Sequence, residues 1–233
     1  MAKSSDAIVK DLQTAVNIHC EKNRGKYLDE CIAATEILMV WMGYLHVTVS
    51  KTVADRLLNA AQATIIEVAG SISLGLVRPA IFSIRSQLEL LLAWVYFNDH
   101  PVEWNNFEKT GRDFPMRAVI VKYLHANGDR FSDRLKILNK VRARKEEDPY
   151  GLLSIYVHSI SAAAGPLVGQ LSTIVQNDDR CRECVTLQKE VAEYLTDILA
   201  AWYADRWLDF PPAIKAHLQK RLLPAQLKEF CRT

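Results

Sequence analysis

Glycine and proline are scarce, nine and eight in 233 residues, and no stretch is rich in both. A β-sandwich or barrel needs turn residues at roughly ten-residue intervals, so this shortage argues against an all-β fold. The one run with strand-like branching, Val47-Thr-Val-Ser-Lys-Thr-Val53, lies between two helical patterns and finds no second run to pair with, so a helix junction is expected there. A charge of dominant sign is also lacking: 29 Lys and Arg against 27 Asp and Glu leave +2, too mild to imply a nucleic-acid or membrane surface. The five cysteines, an odd number without disulfide-type spacing, fit a reducing cytoplasm. No apolar core follows Met-Ala-Lys-Ser-Ser, so no secretory leader is expected. P-loop, dinucleotide, H-E-x-x-H and G-x-S-x-G patterns are absent, and no cofactor is expected.

What is present is apolar periodicity near 3.6 across most of the chain, in a composition 49% hydrophobic and 24% charged. One all-α domain over residues 1–233 is expected, a multi-helix bundle built around a buried central helix at about 79–98. In that helix Ile81, Ile84, Leu88, Leu92 and Val95 share one face, while Leu90, Trp94 and Phe97 fall roughly opposite, so almost no side belongs in water. Arg85 and Glu89 sit beside the main apolar stripe, and charges buried there must be paired.

Around it the spacing predicts helices over 5–23, capped by Ser4 or Ser5 and ended by Gly25, over 28–46 and over 53–71. Further helices are expected at about 101–110, 115–126, 178–208 and 213–229, the last interrupted at Pro224. Residues 130–145 form the most basic segment, with Arg130, Arg134, Lys136, Lys140, Arg142, Arg144 and Lys145, followed by Glu146, Glu147 and Asp148. A protein or RNA partner would dock there; the plainer reading is a solvated helix face balanced by the acidic triplet.

Residues 151–177 contain no charged side chain, a length that could span a bilayer. Four serines, a histidine and the Gly165-Pro166 break favour instead a buried helix followed by a loop and a short helix, so no membrane association is expected. Within that stretch Tyr150, Ser154, His158 and Ser161 fall on one arc of a helix otherwise covered by Leu152, Leu153, Ile155 and Ile160. The expectation is that this polar stripe faces Arg85 and Glu89 in one network. Two uses stay open: register-fixing hydrogen bonds, or a pocket that binds a ligand or supports acid–base chemistry through His158 and Glu89. Cys181-Arg-Glu-Cys184 is a single C-x-x-C pair lacking the two further ligands of structural zinc, and no metal is expected.

Gly75-Leu-Val-Arg-Pro-Ala-Ile-Phe-Ser-Ile-Arg85-Ser-Gln-Leu-Glu89, with Tyr150-Gly-Leu-Leu-Ser154-x-Tyr156-Val-His158-Ser159 downstream, resembles uncharacterised bacterial helical proteins of the HEPN-like (higher eukaryotes and prokaryotes nucleotide-binding) superfamily over about residues 55–160. The resemblance implies a helical bundle, often dimeric, in a superfamily of toxin and antiviral ribonucleases and of non-catalytic ligand-binding members. Its ribonucleases carry Arg, four to six residues, then His on one helix. None of the six histidines here has an Arg at that distance; Arg117 and His125 are separated by seven residues. A non-catalytic or degenerate HEPN-like binding or regulatory protein, in a bacterial defence or toxin–antitoxin setting, is therefore the expectation. The alternative is a divergent metal-independent ribonuclease using Arg85 and His158.

Overall fold

The computed structural model describes residues 4–49, 54–158 and 170–232. Among these residues the chain is all-α, with eleven α-helices, two 3₁₀ turns and no strand. The helices are α1 (Ser5–Asn23), α2 (Lys26–Thr48), α3 (Asp55–Ser73), α4 (Val77–Asp99), α5 (Pro101–Thr110), α6 (Arg117–Asn127), α7 (Phe131–Lys140), α8 (Tyr150–His158), α9 (Asp178–Tyr203), α10 (Pro212–Arg221) and α11 (Pro224–Phe230). The 3₁₀ turns cover Leu171–Ile174 and Ala204–Asp209. The chain divides into two compact units. The first takes residues 1–35, 63–86 and 148–189, the second 36–62, 87–147 and 190–233, so the division falls inside α2, α3, α4 and α9.

In the first unit, α1 begins where the Ser4 side chain accepts the Ala7 N–H at 3.3 Å. Its end departs from expectation: Arg24, not Gly25, takes the positive-φ turn at 46°. One end of this unit is knit around buried His19, whose Nε2 donates to the Ile72 carbonyl at 3.3 Å and whose ring stacks on Tyr27 at 6.0 Å. The Gln176 N–H donates to the Gly75 carbonyl at 2.9 Å, holding the stretch before α9 against the α3–α4 turn. Gly75 has φ +75°, and a Cβ there would lie 2.7 Å from Val175 Cγ1 and 3.2 Å from His19 Nδ1. Gly75→Ala is expected to cost about 1 to 2 kcal/mol for the left-handed backbone alone, with the clash adding to it; urea unfolding measures the loss.

The second unit holds the larger core. Trp41, Met42, Leu45 and Leu58 are buried in it, as are Leu88, Leu91, Trp94 and Phe97 of the carboxyl half of α4, and Trp41 packs edge-on to Phe210 at 4.8 Å. That half of α4 is the expected central helix; the amino half is not buried all round, since Arg78 and Phe82 are exposed. The predicted helix over 178–208 stops at Tyr203, where the backbone tightens into the 3₁₀ turn and departs from helical geometry at Arg206. Pro224 separates α10 from α11, because proline cannot continue a helix that needs its N–H. The expected junction over 47–53 and the loop after α8 lie partly or wholly outside the described residues, as does Ser161.

Two helices, α2 and α4, are long and apolar enough to cross a membrane by length and composition, a test that the core helices of water-soluble folds also pass.

Candidate functional site

The structure brings together part of the polar set expected from the sequence. In the first unit, Arg85 Nη2 donates to the Tyr150 hydroxyl at 2.9 Å, and the guanidinium carbon stands 5.1 Å from the centre of the same ring. One tyrosine therefore holds the arginine twice, by its oxygen and by its π face. Ser154 and His158 follow Tyr150 at one-turn intervals along α8, and Glu89 follows Arg85 one turn along α4, in residues assigned to the second unit.

Burial differs from expectation. Arg85, Glu89, Tyr150 and Ser154 are half-buried and His158 is exposed. Apolar neighbours at Ile81, Phe82 and Ile84 had implied a face sealed from water. Phe82, however, is itself 44% exposed, and the arc of α4 that carries Arg78, Phe82, Arg85 and Glu89 lies toward solvent. The expected buried network is thus an accessible polar face.

Full burial of charge occurs elsewhere, in the second unit, and one of its members, Arg144, belongs to the 130–145 segment for which a solvated face is the plainer expectation. The Arg144 and Asp197 side chains are each 0% exposed and form an ion pair, Arg144 Nη1 to Asp197 Oδ2. Arg144 Nη2 also donates to Asn139 Oδ1 at 2.6 Å. The second Asp197 oxygen accepts from Arg221 Nη1 at 2.6 Å, and Arg221 Nη2 reaches Glu193 Oε1 at 3.1 Å. Glu193 also accepts two successive backbone N–H groups, from Ala143 at 2.9 Å and Arg144 at 2.8 Å, while Glu190 accepts that of Lys145 at 3.2 Å. Three carboxylates along α9 thereby clamp the segment after α7, and Arg221 ties α10 to two of them, Glu193 and Asp197.

Chemically, these two guanidiniums face three carboxylates. The arginines already serve the protein's own acids, so the cluster has no positive excess for a phosphate. Its histidine, half-buried His217, receives Arg221 Nη1 at 3.3 Å from its Nε2. Burial first, and then the Arg221 charge, hold His217 below its ordinary value, with Asp197 and Glu193 pulling the other way and Lys220 adding to the depression. The unfolded chain consequently binds more protons between the folded value and about 6.5, and stability falls as pH drops through that window. The urea midpoint of the wild type is expected to fall more steeply from about pH 7 to 5 than that of His217→Gln, which lacks the titrating group.

The remaining arginines of the basic segment are likewise engaged. Arg134, with a side chain 1% exposed, donates to Asp205 Oδ1 at 2.6 Å and to the carbonyls of Asp129 and Phe230 at 3.0 and 3.2 Å. Arg130 pairs with Glu229 and donates to the Arg232 carbonyl at 2.7 Å, and Arg142 donates to the Asn139 carbonyl at 2.8 Å. Lys136, Lys140 and Lys145 are the exposed cations of the segment.

Cys31, Cys181 and Cys184 are buried thiols in the first unit. Burial pushes Cys31 and Cys181 up to about 11 and Cys184 higher still, so all three are protonated, poorly nucleophilic groups at neutral pH. Among the described residues no group of three or more His, Cys, Asp or Glu side chains converges as a metal site requires.

The α9 cluster had a signal in the sequence. Glu190, Glu193 and Asp197 stand at i, i+3 and i+7 and share one arc of a helix whose other positions are largely apolar, the same pattern that drew attention to Arg85 and Glu89. No family model, no curated protein and no solved structure matches this chain.

Proposed function

We propose that the protein is a non-catalytic, HEPN-like helical binding or regulatory module, cytoplasmic and homo-oligomeric, that recognises an anionic group through the polar face of α4 and α8. One observation carries this reading: Arg85 is accessible to solvent yet fixed against Tyr150 by both a hydrogen bond and the ring face. A guanidinium so oriented loses less freedom when an anion binds. Ser154 and His158 extend the same face of α8. Lys136, Lys140 and Lys145 offer a separate, weaker basic edge to a protein or RNA partner, and five unpaired cysteines suit a reducing compartment.

Turnover by an Arg85–His158 pair is disfavoured by helix geometry. Tyr150 and His158 are eight residues apart, about 12 Å along the α8 axis, and Arg85 is held at the Tyr150 end. A phosphate cradled by that arginine would sit some two turns from the imidazole.

Calorimetric titration with a short 5′-phosphorylated oligoribonucleotide tests the binding role. The wild type is expected to bind, and Arg85→Ala to lose about tenfold or more in affinity with its melting temperature nearly unchanged, as fits a half-exposed side chain. Equal binding by wild type and Arg85→Ala, or none by either, would refute the assignment of this face.

A further inference from the structure

We infer that the second unit carries a cation site where α4 hands over to α5, formed by Asp99, Glu103, Tyr123 and Tyr203 and suited to a small alkyl diamine. The site goes beyond the function proposed above and does not depend on what Arg85 binds.

The place is built from aromatic rings and two carboxylates, all in the second unit. His100, the residue before Pro101 at the start of α5, is fixed by donating from Nδ1 to the Tyr96 carbonyl at 2.8 Å. Its ring stacks on Tyr96 at 4.0 Å and meets Tyr123 edge-on at 4.6 Å, and half-buried Trp202 of α9 continues the row 6.0 Å from Tyr123. Each tyrosine holds an acid by one oxygen: Tyr96 donates to Glu103 Oε2 at 2.9 Å, and Tyr123 to Asp99 Oδ2 at 3.1 Å. Burial, and then the neighbouring acid, push Tyr96 up to about 12 and raise Tyr123 as well, so both phenols stay protonated and keep donating at neutral pH.

The charge at this place is not neutralised. Asp99 stands in the last turn of α4, at the negative end of the helix, where a cation is favoured and where α4 has no basic residue. Asp99 and Glu103 are both exposed, and among the described residues neither has an ion-pair partner; Lys122, beside Tyr123 on α6, and Arg206 pair with neither. Glu103 lies in the first turn of α5, whose amino end partly offsets it, so Asp99 carries the larger uncompensated charge.

A separate observation points to a ligand. Tyr203 is 7% exposed, and its hydroxyl has no hydrogen-bond partner among the described residues. Burial first, and next the Asp99 charge, raise this phenol, which puts its hydroxyl on the side of that carboxylate; Arg206 opposes the shift. Buried polar atoms are ordinarily partnered, so an orphan beside an unpaired acid marks a place for a polar guest. An ammonium group brings three N–H donors and no acceptor, enough for the second oxygen of Asp99 and the oxygen of Tyr203, while half-buried Tyr123 and Trp202 offer ring surface to the cation and its methylenes. Two acids on consecutive helices favour two amino groups over one. A metal ion fits less well, because among the described residues no group of three His, Cys, Asp or Glu side chains could hold one.

Calorimetric titration of the full chain with diaminobutane in roughly 0.1 M salt, which screens diffuse attraction, provides the test. The wild type is expected to bind saturably with a dissociation constant below about 1 mM, and Asp99→Asn to lose about tenfold or more, with a smaller loss in Glu103→Gln. Both acids are exposed, so these variants should melt with the wild type. Tyr203→Phe should weaken binding, Arg85→Ala should leave it unchanged, and magnesium chloride at the same concentration should not compete. No saturable binding by the wild type, equal affinity in Asp99→Asn, or displacement by equimolar magnesium would overturn the proposal.

Discussion

Asp197→Ala is expected to destabilise the protein by about 3 to 5 kcal/mol, the cost of leaving a buried charge without its partner. The Asp197 side chain is fully buried and serves Arg144 and Arg221 at once, so removing it leaves the buried Arg144 guanidinium with only Asn139 and the more distant Glu193 and deprives Arg221 of its shortest hydrogen bond. Arg144→Ala should cost a similar amount, since it leaves Asp197 with Arg221 alone and frees Asn139 Oδ1. Arg144→Met combined with Asp197→Leu should cost clearly less than the sum of the two alanine variants, because no uncompensated charge remains and the volume is largely refilled. Urea denaturation of the four proteins measures this coupling. Small, additive losses would show that water reaches the pair.

The second large effect belongs to the carboxyl half of α4. Trp94 and Leu88 are 0% exposed, and Trp94→Ala should cost about 3 to 5 kcal/mol and Leu88→Ala about 2 to 5 kcal/mol through lost burial and the cavity left behind. A loss below about 1 kcal/mol at either position would place that half of the helix outside the core.

Local periodicity made most of the helices legible. The Ser4 cap, the Pro101 start of α5 and the break at Pro224 follow from side-chain oxygens and missing N–H groups that act within one turn. Burial was less legible. Phe82 is apolar and exposed, whereas Arg144 is charged and buried, and residue type alone points the wrong way for both. The reason is distance along the chain: Arg144 meets Asp197 across 53 residues, and Arg134 meets the Phe230 carbonyl across 96. A dense run of Lys and Arg looks like a solvated face until such partners are known, and long arginine stems pack readily against apolar surface. The pairing of α4 with α8 was legible for the opposite reason. Two polar stripes on otherwise apolar helices have few other partners, and the Arg85–Tyr150 bond joins them.

The two polar groupings therefore have different characters. The cluster of Arg144, Asp197, Glu193 and Arg221 is internally matched and holds three segments of the second unit in register. The face carrying Arg85, Tyr150, Ser154 and His158 is half-buried to exposed instead.

We propose that this face binds without turning over. Incubating purified wild-type protein with a mixed RNA pool, alongside Arg85→Ala and His158→Ala, tests it most directly. An unchanged length distribution is expected with all three proteins, with retention of the pool by the wild type but not by Arg85→Ala. Fragmentation by the wild type that disappears in both variants would contradict it, and would make Arg85 and His158 a catalytic pair despite their separation along α8.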